Sequence, residues 1–175
     1  MVDIIDNHPV WDVYNEQRTA RLSVLYYECK LRNLKKLNSL GEFILAASAP
    51  SGAVGVIFFQ TVLSGILWSI LLATASIIAI AKPIFNIPNK IQKYSELLGA
   101  WRQLDDELNK LKICVKLNSD YSAEARRDFL LLLEVKSSIV KQEAKEEEDR
   151  KLKKRCYEQV KLELPDDDYF VPEET

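Results

Sequence analysis

The stretch FILAASAPSGAVGVIFFQTVLSGILWSILLATASIIAIA, residues 43–81, decides the fold. It holds thirty-nine residues without Asp, Glu, Lys, Arg or His, while charge is dense on both sides. One bilayer span takes roughly 20 apolar residues, so the run has the length of two. A single buried helix of that length would need a very large partner surface in a chain of 175 residues. The pattern predicts a transmembrane hairpin with spans at about 40–59 and 66–85, turned through Gln60, Thr61, Ser64 and Gly65. In hydrocarbon every backbone group must bond internally, which selects helices here. Pro50, beside Ser51 and Gly52, removes a backbone donor and predicts either a kink in the first span or a re-entrant break.

The flanks orient the hairpin. Arg18, Arg21, Lys30, Arg32, Lys35 and Lys36 precede it; Lys82, Lys90, Lys93 and Arg102 follow, and the turn is uncharged. The positive-inside rule then places both termini in the cytoplasm. Ala47, Ser51 and Gly55 recur every four residues, as do Ser69 and Ala73, with Ser76 beyond. Such spacing permits close helix packing. The alternative is that polar positions between subunits, namely Gln60, Thr61, Ser64, Ser69, Thr74 and Ser76, line a pore.

Outside this region the expectation is an all-α fold. Residues 1–39 read as an amphipathic cytoplasmic helix starting near Pro9, with Leu22, Leu25, Tyr26 and Cys29 at helical spacing. It is expected to run toward the membrane, with a small bend at Gly41. Pro83, Asn86, Pro88 and Asn89 predict a break. A cytoplasmic helical domain follows over residues 86–158. Ile91, Tyr94, Leu98, Trp101, Leu104, Leu108, Leu111 and Val115 form a coiled-coil-like seam, a candidate oligomerisation surface that the first helix could also cover. A third helix carries Tyr121, Ala125, Phe129, Leu132, Val135 and Ile139 toward a core, widened by Leu130, Leu131, Leu133 and Val140. Acid-first pairs such as Glu146 with Arg150 and Asp149 with Lys153 predict a solvated helical extension to about Tyr157. Residues 159–175 read as an acidic, disordered tail whose Tyr169, Phe170 and Val171 could dock on a partner.

Catalytic chemistry finds little purchase. There is one histidine, His8, so a serine or cysteine nucleophile lacks a plausible base. Glycine-rich phosphate loops and zinc-ligand spacing are absent from the sequence. The expectation is a protein that is not an enzyme and needs no cofactor. Cys29, Cys114 and Cys156 form no CxxC pair and read as reduced packing residues. A formal net charge of -2 implies no general affinity for nucleic acid. No basic-then-apolar leader follows Met1, which leaves the hairpin as the expected targeting signal. Two basic pairs could hold an anionic ligand: Arg18 with Arg21, beside tyrosines, and Arg126 with Arg127 near a helix start. For both, a solvated or lipid-facing role is the plainer reading.

TARLSVLYYECKLRNLKKLN at 19–38, the uncharged hairpin, and WRQLDDELNKLK at 101–112 together resemble the SLATT proteins over about residues 10–140. These are two-transmembrane effectors associated with bacterial nucleotide-signalling conflict systems. The resemblance rests on architecture and texture; the charged extension after Val140 departs from it. It implies an effector of antiviral or abortive-infection defence in the bacterial inner membrane. Such a protein would oligomerise and breach the bilayer under control of a nucleotide second messenger or a nucleotidyltransferase-linked partner. A non-conducting anchor that recruits a cytoplasmic partner is the alternative.

Overall fold

A computed structural model describes residues 8–48, 62–143, 148–165 and 169–172. The described residues form five α-helices and no strand. They are α1 (Val10–Ser48), α2 (Val62–Phe85), α3 (Ile87–Asn118), α4 (Ala123–Glu143) and α5 (Arg150–Glu163). The chain divides into two compact units. One comprises Met1–Cys29 with Tyr94–Thr175, and the other comprises Lys30–Lys93.

In the larger unit α1 is the central helix. Val10, Val13, Tyr14, Gln17, Ala20, Val24 and Tyr27 recur at three- and four-residue steps, and all are buried. The α3 segment lies antiparallel to it. Gln17 Nε2 donates to Asn109 Oδ1 at 3.1 Å, Arg21 sits 3.6 Å from Asp105, and Arg102 sits 3.7 Å from Glu28. Tyr27 and Tyr94 bring their rings to 5.7 Å at the other end. Of the predicted seam, Tyr94, Leu98, Trp101, Leu104, Leu108, Leu111 and Val115 are buried, and Leu97 joins them. Ile91 is only half-buried. The seam is thus covered within one chain by α1 rather than left open for a second copy.

The α4 helix starts where Ser122 Oγ accepts from Ala125 N, and it buries Ala125, Phe129 and Ile139. Lys136 donates to Glu16 on α1, and Trp101 Nε1 donates to Glu143 at 2.6 Å. Leu130, Leu131, Val135 and Val140 remain exposed, so the core-facing stripe is narrower than the composition suggested.

Two boundaries moved. The break predicted around Pro83–Asn89 narrows to Asn86, whose φ of 48° is left-handed. Asn tolerates that region because its short polar side chain relieves the steric cost. The α2 helix therefore persists through position 83, and Pro88 fits the first turn of α3, where no intrahelical donor is required. The predicted extension to Tyr157 is a separate helix. Asp149 Oδ1 caps α5 by accepting from Lys151 N and Leu152 N, and α5 runs on to Glu163, inside the segment read as a tail.

In the smaller unit, the later part of α1 continues helical through Gly41 to Ser48. A Cβ at Gly41 would lie 3.4 Å from Ile78 Cγ2, so the missing side chain fits the close approach of α2. Ala75 is buried, and Lys82 Nζ reaches Glu42 Oε1 at 3.1 Å. Among the described residues no helix is long and apolar enough to cross a membrane. Residues 49–61 and the side chains at 62–65, 67, 68, 71 and 83 lie outside that description.

Large-to-small truncation tests the packing. Trp101→Ala, at 2% exposure, should cost about 3–5 kcal/mol through lost burial and the cavity left behind. Ile113→Ala, at 47% exposure on the same helix, should stay within about 0.5 kcal/mol. Denaturant midpoints of the full-length variants measure the contrast.

Candidate functional site

Two surfaces carry the residues singled out in the sequence, one in each unit.

The first is the α1–α2 pair of the smaller unit. Successive residues turn by 100° on a helix, so Ala75, Ile78 and Lys82 share one face. That face is covered: Ala75 is buried, and Ile78 and Lys82 are half-buried. Ile66, Ile70, Ile77, Ile80 and Ile84 occupy the opposite arc and are 58–72% exposed. Leu72 and Phe85 are also exposed and widen the arc. A groove of about 230 Å³ between the two helices is walled by Leu37, Leu40, Ile44, Ile78 and Phe85.

Several expectations shift here. Ala73, predicted in the helix contact, is exposed; the small residue that packs is Ala75, two positions along. The register follows Ile78 and Lys82, which share the face of Ala75. Thr74 and Ser76, candidate pore positions, are exposed, and their hydroxyls bond back to the carbonyls of Ile70 and Leu72 at 2.8 Å. Ser69 is exposed as well. Ser64 and Gly65 fall within α2 rather than in a turn. Gln60, Thr61, Ser51 and Gly55 lie outside the described residues, as does the side chain of Ala47.

The second surface joins α1 to α5 and the chain beyond it. Arg18 Nε and Nη2 both donate to the Leu164 carbonyl, at 3.2 and 2.8 Å. Its guanidinium also stands 4.7 Å from the Tyr169 ring centroid, and Lys112 Nζ stands 4.5 Å from it. Tyr169 stacks on Tyr14 at 4.3 Å, and Tyr14 OH donates to the Phe170 carbonyl. Further along, Asp149 N donates to Tyr26 OH at 3.0 Å. Cys156 and Val160, four residues apart, bury the inner face of α5. Tyr169 and Phe170 thus dock on their own chain, where the sequence reading left them able to dock on a partner.

The same contacts revise the candidate anion sites. Arg21 donates to Glu163 Oε2 at 2.7 Å and stands near Asp105, so Arg18 and Arg21 are committed to the C-terminal segment. Arg126 turns back on its own turn, donating to the Tyr121 carbonyl and lying 5.5 Å from that ring. Arg127 is exposed beside it. Arg18, without Arg21, lines an open cavity of about 630 Å³ with Tyr157 and Lys161. Gln17 went unnoticed in the sequence. It is 3% exposed, with Nε2 bonded to Asn109 and Oε1 without a partner among the described residues. A lone Gln in a polar-rich helix gives no signal of burial. The described residues hold no cluster of His, Cys, Asp and Glu able to bind a metal ion.

Burial and pairing set the titrations. Burial, reinforced by Tyr169, pushes the Tyr14 phenol up to about 12, so it stays a donor to Phe170. Burial also raises the Asp105 carboxyl, against the pull of Arg21. Burial acts to raise Glu163 too, but hydrogen bonds from Arg21 and Gln159 outweigh it and leave that carboxyl low. The difference follows burial first and distance second: Asp105 is the more buried of the two, and Arg21 is 2.7 Å from Glu163 and 3.6 Å from Asp105.

The chain was compared with family models, with curated proteins and with solved structures, and none matches.

Two predictions follow from the α1–α5 contact. A depressed folded value at Glu163 stabilises above 4.5 and is lost as pH falls through it, whereas a raised Asp105 adds a penalty as pH rises past 3.8. Thermal midpoints of Asp105→Asn relative to the parent should therefore rise from pH 4 to pH 7, while those of Glu163→Gln should fall. In addition, Tyr169→Ala should remove a stack worth about 0.5–1.5 kcal/mol. Amide exchange at 164–172 should then quicken several-fold, with the α3 seam unchanged.

Proposed function

We propose that this protein is a membrane effector of a bacterial antiviral or abortive-infection system. It oligomerises through its helical domain and permeabilises the inner membrane, with both termini in the cytoplasm. The observation that carries the reading is the isoleucine arc of α2. Five isoleucines, each more than half exposed, line one side of a 24-residue helix whose sequence contains a single charge, Lys82. Apolar surface this continuous marks contact with lipid or another protein, because leaving it in water is unfavourable. The uncharged run of the sequence, residues 43–81, has the length of two spans of roughly 20 residues each. The uncharged residues 49–61 supply the rest of the first span in this reading.

The Glu42–Lys82 pair supports the same arrangement. The two lie at the ends of the uncharged run, where headgroups would solvate them, and they tie α1 to α2 at that level. A two-helix hairpin encloses no water path alone, so permeabilisation requires several subunits. Control by a nucleotide second messenger or by a partner protein completes the proposal. Commitment of Arg18 and Arg21 to Leu164 and Glu163 favours the partner, because those cations are already satisfied.

The test places one charge on the arc. Ile77→Arg should cost about 2.5–3.5 kcal/mol of insertion at a span centre. Cells expressing the parent with its neighbouring genes should lose membrane potential during phage infection, and cells with the variant should keep it. Parent protein found wholly in the aqueous fraction would exclude the membrane reading. Parent protein in the membrane fraction, with the potential intact in dying cells, would leave the non-conducting anchor.

A further inference from the structure

We propose that the groove between α3 and α4 receives the outer face of α5 from a second copy of this chain. The inference rests on the assembly part of the proposed function and is independent of permeabilisation. The groove has a volume of about 470 Å³. Its floor is apolar, with Leu111, Val115 and Leu132, and its rim carries Asp120, Glu124 and Asp128 beside the Glu107–Lys110 ion pair. Among the described residues, none of these three carboxylates has a cation within ion-pair distance. Glu124 and Asp128 stand one helical turn apart, where like charges repel. Leu131, on the groove wall, is 52% exposed.

The α5 helix presents the complement. Its inner face, Cys156 and Val160, is held on α1, and the opposite face is exposed. That outer face carries Arg150, Lys151, Lys154 and Arg155, then one carboxylate, Glu158, and Leu162 at 83% exposure. Neither Lys154 nor Arg155 has a carboxylate within ion-pair distance among the described residues; Glu146 and Glu147, four residues before Arg150 and Lys151, lie outside them. The helix bears two like-charge pairs at four-residue spacing, Arg150 with Lys154 and Lys151 with Arg155.

The spacing matches as well as the charge. Asp128 lies four residues beyond Glu124, and Arg155 lies four beyond Lys151, about 6 Å along either helix at 1.5 Å per residue. Parallel docking in this register places Lys151 and Arg155 over the acidic end of the groove and carries Glu158 past Asp128. The donor α5 keeps its seat on its own α1, so no element has to unfold. Groove and helix are different surfaces, so the contact is heterologous and propagates from subunit to subunit as a ring or a filament.

The experiment measures self-association of the detergent-solubilised full chain by analytical ultracentrifugation. Glu124→Lys with Asp128→Lys should weaken it about tenfold or more, as should Lys151→Glu with Lys154→Glu. Mixing the two variants should recover association, because the reversed groove of one meets the reversed helix of the other. Added salt should weaken the parent, since the rim charges are exposed. Circular dichroism checks folding. Should a reversal unfold the chain, the neutral variants Glu124→Gln with Asp128→Asn should give a smaller shift of the same sign. Association indifferent to these changes, or no recovery on mixing, would overturn the interface. A parent that stays monomeric would overturn it too, even if the groove then accepted an unrelated basic helix. An intact membrane potential alongside charge-dependent assembly would count against permeabilisation and leave the interface standing.

Discussion

Burial of α1 on several sides is the constraint on which the larger unit depends. Gln17 and Tyr27 meet α3, Glu16 meets α4, Tyr26 and Arg21 meet α5, and Tyr14 meets Phe170. Each neighbour brings a stripe too narrow to bury itself, and α1 supplies the surface all of them share. The polar contacts fix how each neighbour slides along it, while apolar area provides most of the stabilisation. Loss of Tyr169 would therefore cost one contact, whereas loss of Trp101 would open the central packing.

The C-terminal segment shows how chemistry suited to ligands can be consumed by the fold. Arginine beside aromatic rings is what an anionic, stacking ligand would need. Here Leu164, Glu163 and Tyr169 take that role within the chain. Tyr14, pushed up to about 12, remains a neutral donor across the physiological range, so this closure does not open with modest changes of pH. A partner that bound Tyr169 more tightly than Tyr14 does could release α5 from α1, which would bias any assembly that uses the outer face of α5.

Exposed apolar surface is divided between the units by chemistry. On α2 it is isoleucine, aligned along one arc and almost free of charge, which suits a uniform apolar solvent. Around the α3–α4 groove it is leucine mixed with carboxylates, which suits a partner that brings cations. A bilayer interior could not satisfy those carboxylates, and a charged helix could not satisfy the isoleucine arc.

The sequence by itself determined the helical class, the uncharged centre and seven of the eight seam positions found buried. Hydrophobic periodicity is a local property, and Tyr94 to Val115 repeat every three or four residues whatever covers them. The tertiary structure alone decided what covers them. It placed α1 over the seam, folded Tyr169 onto Tyr14, spent Arg18 and Arg21 on the C-terminal segment and buried Gln17. Those outcomes join residues 67 positions apart, as in Tyr27 and Tyr94, or more, and no local pattern encodes which distant partner satisfies a given donor. Register was equally hidden: Ala73 and Ala75 are alike in composition, and only the approach of Gly41 on α1 to Ile78 on α2 determined which of them packs.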